Sequence, residues 1–175
     1  MNYAKIIYFD TANAPGLSTV LFVSGCENYC DGCHNKETWD FNYGKPFTKE
    51  EENKIINSLK NPHIKNFVIS GGDPCHPKNI ETIIKLCKEV RKECPLINIV
   101  VYTGYTLEEI TNRKDNSFEL LNLINLLIDG KFDKNKPTKQ LDYRGSTNQR
   151  CIGCIHLFEY LTIFMDCSQY YFKEN

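Results

Sequence analysis

Arginine is scarce in this chain. Only Arg91, Arg113, Arg144 and Arg150 occur among 175 residues, and the 21 basic residues are offset by 22 acidic ones, for a net charge of −1. That balance removes the electrostatic case for nucleic acid or an anionic membrane as partner. Long apolar runs are missing too: none reaches the ~18 residues that a membrane span requires. The opening Met1-Asn2-Tyr3-Ala4-Lys5 lacks the charged-then-apolar pattern of a secretory signal. Low-complexity linkers, internal repeats and a domain boundary are likewise absent. A single domain fits the length, and at this size folding buries roughly 70% of the unfolded surface. Cysteine, in contrast, is abundant. Its count is nine, and an odd number argues against a disulfide framework and for the reducing cytoplasm, where thiols remain free to bind metal.

Three of those cysteines, Cys26, Cys30 and Cys33, share one loop with the spacing C-x3-C-x2-C. Structural zinc takes four protein ligands, and a cubane [4Fe–4S] cluster usually takes four cysteines, one per iron. Three thiolates therefore leave one iron open for a substrate. A zinc knuckle closed by His34 or a distant cysteine is the alternative. It is awkward because the consecutive side chains of Cys33 and His34 diverge.

Short continuous apolar runs recur at Ile6-Ile7-Tyr8-Phe9, Val20-Leu21-Phe22-Val23, Phe67-Val68-Ile69, Ile99-Val100-Val101-Tyr102 and Leu126-Leu127-Ile128. They read as strands buried on both faces, the signature of a parallel sheet. Helical patterns separate them. Thr48 and Glu51 form a capping box ahead of Ile55, Ile56 and Leu59, and Pro62 ends that helix. A second helix starts near Pro77 and carries Ile80, Ile83, Ile84, Cys87 and Val90 at helical spacing. Thr106 and Glu109 cap a short third helix, and Ser117 to Asn125 reads as a fourth. Alternating strands and helices imply βαβ units. A closed eightfold barrel needs ~250 residues, so the expected fold is α/β, an open partial barrel of five or six mainly parallel strands. Ligands collect beyond the carboxyl ends of such strands. The cysteine loop, Gly71-Gly72-Asp73-Pro74, Thr103-Gly104-Tyr105 and Asp129-Gly130-Lys131 all fall on that rim. Gly71 and Gly72 give a ligand access to backbone carbonyls with no Cβ in the way. Asp73 adds a carboxylate, so a cationic amine is a natural guest, although an ordinary Gly-Gly turn explains the same residues.

These residues carry a family likeness. The chain resembles the radical S-adenosylmethionine enzymes, and within them the activating proteins of anaerobic ribonucleotide reductases. The likeness rests on the cysteine loop followed by Asn35-Lys36-Glu37-Thr38-Trp39, then on Ser70-Gly71-Gly72-Asp73-Pro74 with His76-Pro77, and on Tyr102-Thr103-Gly104-Tyr105. It continues through Asp129-Gly130-Lys131-Phe132 and Arg144-Gly145-Ser146-Thr147-Asn148-Gln149. It spans about residues 3–150 in the family's order.

The resemblance implies an oxidoreductase with the radical-S-adenosylmethionine type of partial barrel. Cys26, Cys30 and Cys33 would hold three irons of a [4Fe–4S] cluster. S-adenosylmethionine would chelate the fourth, with Gly32, Cys33 and His34 bordering its adenine. Gly71, Gly72 and Asp73 would receive its amino group, Thr103 the ribose, and Asp129 and Lys131 would lie near its carboxylate, although a lysine there is equally explained as a solvated loop residue. Reductive cleavage would yield a 5′-deoxyadenosyl radical that takes a hydrogen from a glycine of the large reductase subunit. The implied partners are that subunit, a flavodoxin-like electron donor and a possible second copy of the chain. An activase for another glycyl-radical enzyme, of the pyruvate formate-lyase type, is the nearest alternative, and a non-catalytic iron–sulfur or zinc protein is the more distant one.

Two departures accompany the likeness. The family commonly reads Asn-Gly-Pro-Gly-x-Arg where this chain has Asn13-Ala14-Pro15-Gly16-Leu17-Ser18. The residues after Arg150 also extend past the usual end of such activators. They suggest an activase domain at 1–150 and an apolar extension at 151–175 packed on it, in which Cys151-x2-Cys154 is either a second metal half-site or a pair of buried thiols.

Overall fold

The structure is a computed structural model, and it describes residues 1–138, 143–158 and 161–167. Its strands are β1 (Asn2–Asp10), β2 (Leu17–Val23), β3 (Lys45–Pro46), β4 (Ile64–Gly71), β5 (Asn98–Tyr102), β6 (Leu126–Asp129), β7 (Arg150–Phe158) and β8 (Leu161–Asp166). The helices are α1 (Lys49–Leu59), α2 (Ile80–Glu93), α3 (Leu107–Asn112) and α4 (Ser117–Leu121), with a 3-10 turn over Lys36–Trp39. Among the described residues the strands form one open eight-stranded sheet in the order β3-β1-β2-β4-β5-β6-β7-β8.

The centre of the sheet is parallel: β2 pairs with β4, β4 with β5, and β5 with β6. Both ends are antiparallel, through β1–β2 and β1–β3 on one side and β6–β7 and β7–β8 on the other. The expectation of five or six mainly parallel strands is thus corrected: there are eight, and antiparallel pairings outnumber parallel ones. The misreading has a physical source. The run at residues 6–9 is apolar, but its strand pairs antiparallel with β2 and β3, and Phe9 is 66% exposed. β7 and β8 pair antiparallel, and antiparallel neighbours need no crossover helix, so the alternation of strand and helix gives no sign of them.

The four parallel strands are buried on both faces, as their unbroken apolarity requires. Leu21, Phe67, Ile69, Ile99 and Leu127 point toward the helices and join Ile55, Ile83, Cys87 and Leu120 in one core. Val20, Phe22, Val68, Val100 and Ile128 form a smaller core on the opposite face. Each fully buried isoleucine or leucine contributes roughly 1.5–3 kcal/mol. Both capping boxes form: Thr48 accepts from Glu50 N and Thr106 from Glu109 N, while Glu51 and Glu109 reach back. The fourth helix is shorter than its apolar spacing suggests. It stops at Leu121, although Leu120, Leu121 and Ile124 are all fully buried. Arg91, near the end of α2, donates to the carbonyls of Leu123 and Ile97 at 2.7 Å each and ties α2 to the entries of β5 and β6.

In β7, Cys151 packs in the smaller core and Cys154 in the helix-covered one. Residues three apart on a strand face opposite sides, so the two thiols do not converge and the half-site reading fails. Burial pushes the Cys154 thiol up to about 12, as expected of an inert core cysteine. Among the described residues, no helix is long and apolar enough to cross a membrane.

Candidate functional site

The carboxyl ends of β2, β4, β5 and β6 open onto a cleft of about 380 Å³. The cysteine loop forms one wall. Gly25, at φ +99°, turns the chain out of β2, and a Cβ there would lie 2.0 Å from the Phe41 ring. The 3-10 turn closes the base of the loop: Gly25 N donates to Thr38 O at 2.7 Å and Cys26 N to Trp39 O at 3.1 Å. Inside it, Cys33 N donates to Cys30 O at 3.1 Å. Tyr29 takes φ +47°, the left-handed region that non-glycine residues seldom adopt, with its ring edge-on to Trp39 at 5.2 Å. This folding sends Cys26, Cys30 and Cys33 into the same cleft. Burial pushes the thiols of Cys26 and Cys30 up.

The glycine loop forms the floor. Gly71 sits at φ +98°, and a Cβ on it would lie 2.6 Å from Val23 O. A Cβ on Gly72 would lie 2.7 Å from Gly25 O. Both glycines therefore let β4 press its end against the root of the cysteine loop, where Gly72 N donates to Val23 O at 2.8 Å and Asp73 N to Gly25 O at 2.9 Å.

Asp73 is fully engaged within the protein. Its Oδ1 accepts from Cys75 N at 3.0 Å and Thr103 Oγ1 at 2.8 Å, and its Oδ2 from Asn28 Nδ2 at 2.8 Å and Gly104 N at 3.0 Å. Burial pushes this carboxyl up, and the four donors pull against it. A carboxylate offers about four acceptor positions, so none faces a ligand. The Thr103 hydroxyl is similarly occupied, donating to Asp73 and accepting from Tyr105 N at 3.1 Å. Both residues are placed at the cleft as expected, but as knots between loops.

The Asp129 side chain is completely buried and turns away from the cleft. Arg150 Nε donates to its Oδ1 at 3.0 Å, and Leu107 N to its Oδ2 at 2.8 Å. Arg150 also donates twice to Glu108, at 2.9 and 2.7 Å. Its hydrogen bonds hold the Glu108 carboxyl down at about 2, and those to Asp129 and Glu108 push its own pKa up. Lys131 is exposed and lies outside the cleft lining. His34 is exposed, borders the cleft and packs on Phe132 at 5.2 Å. Gly32, at φ +77°, gives the loop its last turn, where a Cβ would approach Lys134 Cβ at 3.1 Å. The segment Arg144 to Gln149 fastens the β6 loop by its backbone: Gln149 Nε2 donates to Gly130 O and Asn148 Nδ2 to Lys131 O, each at 2.9 Å.

These features match known proteins. The family model described as "4Fe-4S single cluster domain" matches residues 12–152. The anaerobic ribonucleoside-triphosphate reductase-activating protein of Escherichia coli K12 is 46% identical over 151 residues, 85% of this chain and 96% of that protein. The chain belongs to this family of reductase-activating proteins. The activating protein of Haemophilus influenzae is 41% identical over 161 residues, 91% of this chain and 99% of its own. That of Enterobacteria phage T4 is 40% identical over 150 residues, covering 86% and 92%. The span matched by the family model, residues 12–152, contains every residue that lines the cleft.

The residues present fit an iron–sulfur cluster. Three thiols enter one cleft, the donor set that a cubane with thiolates on separate irons takes. Ser18, where the resemblance would place an arginine, lies in β2, fully buried and bonded to Asn66 Nδ2 at 3.2 Å. Ala14 sits at a negative φ and carries its side chain without backbone strain.

Sequence reasoning missed two asparagines. Asn79 Nδ2, in front of α2, donates to Ser24 O and Asp73 O at 3.0 Å each. Asn28 joins the cysteine loop to Asp73. An uncapped asparagine just before a helix and an amide between two cysteines are weak signals, because both are also ordinary loop residues.

Proposed function

We propose that this protein is a radical S-adenosylmethionine activase that installs a glycyl radical on an anaerobic ribonucleoside-triphosphate reductase. The observation that carries the reading is the meeting of three loop thiols and two Cβ-less residues, Gly71 and Gly72, in one cleft. When bound, the cluster and S-adenosylmethionine supply the one-electron C5′–S cleavage whose deoxyadenosyl radical takes the glycine hydrogen.

The chain's own residues hold and orient these groups. Cys26, Cys30 and Cys33 would hold the cluster and leave one iron for the nucleoside's amino and carboxylate groups. Gly71 and Gly72 would receive the ammonium, and His34 with Gly32 would border the adenine. Asp73 and Thr103 serve by fixing the loops around the guest, because their polar atoms are already bonded. Asp129 acts in the same indirect way through Arg150, and Lys131 supplies long-range positive charge near the carboxylate. The target hydrogen must come within ~3–3.5 Å of the reacting carbon, so a glycine loop of the reductase has to enter the cleft mouth.

The four parallel strands support a partial-barrel reading, with residues 1–150 as the activase unit and the segment from 151 packed on its edge. A flavodoxin-like electron donor, a cytoplasmic location and self-association accompany this proposal. The experiment is anaerobic reconstitution with iron and sulfide, followed by dithionite and S-adenosylmethionine. 5′-Deoxyadenosine is the expected product. An intact cluster that yields none overturns the activase reading.

A further inference from the structure

We propose that Asn28 is a positioning residue that sets the electron affinity of the cluster by hydrogen-bonding one of its ligands. This inference rests on the cluster reading and deepens it. Asn28 Nδ2 lies 3.5 Å from Cys26 Sγ and 2.8 Å from Asp73 Oδ2. The primary amide has two N–H groups, and here each meets an acceptor. A carboxylate and a metal-bound thiolate both accept only, so the amide orientation is fixed: turning it over would aim its oxygen at a carboxylate.

A second observation supports this role independently. A Cβ on Gly104 would lie 2.2 Å from Asn28 Nδ2 and 2.8 Å from its Cγ. Gly104 has a negative φ, so this position does not need glycine for its backbone. The missing side chain is the space that the amide occupies. Gly104 N also donates to the same Asp73 oxygen at 3.0 Å. The Thr-Gly-Tyr loop is thereby shaped around the Asn28 side chain, which reaches from the cysteine loop to the buried carboxylate.

The consequence is electrostatic. An N–H aimed at a ligating sulfur stabilises the more negative, reduced cluster and raises its potential. Asp73 holds the donor in place, so the carboxylate's burial serves the sulfur through Asn28. Removing the donor makes the cluster harder to reduce without removing a ligand.

The test is an EPR-monitored redox titration of the reconstituted holoprotein in the absence of S-adenosylmethionine, with iron and sulfide assayed per chain. The expected result for Asn28→Ala is parental iron content with the one-electron reduction equilibrium about tenfold less favourable, a downward shift of ~59 mV. Gly104→Ala, which keeps the amide but forces it off the sulfur, should shift the potential in the same direction. Should Asn28→Ala fail to retain iron, Gly104→Ala decides. Parental iron with parental potential overturns the inference and leaves the cluster reading intact. Loss of iron from both variants assigns Asn28 to loop folding and also overturns it. A parent protein that binds no cluster overturns the cofactor reading itself.

Discussion

Replacing Asp73 separates two roles that the same carboxylate can be given. If it is a binding group for a ligand ammonium, Asp73→Asn leaves the metal-free protein as stable as the parent and weakens only the ligand response. The structure argues for the other role. Asp73→Ala leaves Cys75 N–H and the Thr103 hydroxyl without partners, at sites 0% and 5% exposed. Each buried unsatisfied donor costs ~1–3 kcal/mol. The Asn28 and Gly104 donors are half-buried, and each adds about 1 kcal/mol after water compensates in part. A loss of at least ~4 kcal/mol follows, a large share of the ~5–15 kcal/mol that stabilises a domain. Asp73→Asn keeps the shape but turns an N–H₂ toward two donors, which costs about 2 kcal/mol. Urea unfolding of the metal-free protein, in reductant and without oxygen, reads both values. With a slope of ~1–3 kcal/mol/M, the alanine variant should unfold at least ~1 M earlier than the parent. Coincident curves for all three proteins would refute the reasoning and return Asp73 to the ligand.

Other consequences are as direct. Cys30→Ser should lose reconstituted iron, whereas Cys151→Ser and Cys154→Ser should keep the parental amount, because β7 holds those thiols on opposite faces of the sheet; iron analysis checks all three. Arg150→Ala strips the guanidinium from the buried Asp129 and leaves it Leu107 N–H, so destabilisation of ~3 kcal/mol is expected in the same urea assay. Glu108 lies below its ordinary 4.5 when folded, at about 2. Its pairing therefore contributes stability above pH 4.5 that is lost as the pH falls toward 2. The stability difference between the parent and Glu108→Gln should be small, since the carboxylate is well exposed, and should close over that interval; a difference that widens on acidification contradicts the assignment.

The central sheet was legible because burial on both faces leaves an unbroken apolar run, as at Val20–Val23 and Phe67–Ile69. The two capped helices were legible because Thr48 and Thr106 each stand three residues before a glutamate. The cysteine loop was legible from spacing alone. The rest was hidden for physical reasons. β8 alternates the half-buried Thr162 and Phe164 with the exposed Ile163 and Met165, but apolar residues on both faces conceal that alternation. Asp73, Thr103 and Asp129 were found at the right rim, yet an acidic or hydroxyl side chain in a loop reads the same whether it faces a ligand or a backbone amide. Only the three-dimensional count of donors around Asp73 distinguishes the two. Asn28 left no trace in the sequence, because its role depends on a glycine 76 residues later.

The most direct measurement is the EPR spectrum of an anaerobic mixture of the reconstituted protein, S-adenosylmethionine, reductant and the family's reductase subunit. A doublet from a glycyl radical is expected, and it should vanish with Cys30→Ser. An intact, reducible cluster that leaves the reductase without that doublet contradicts the account.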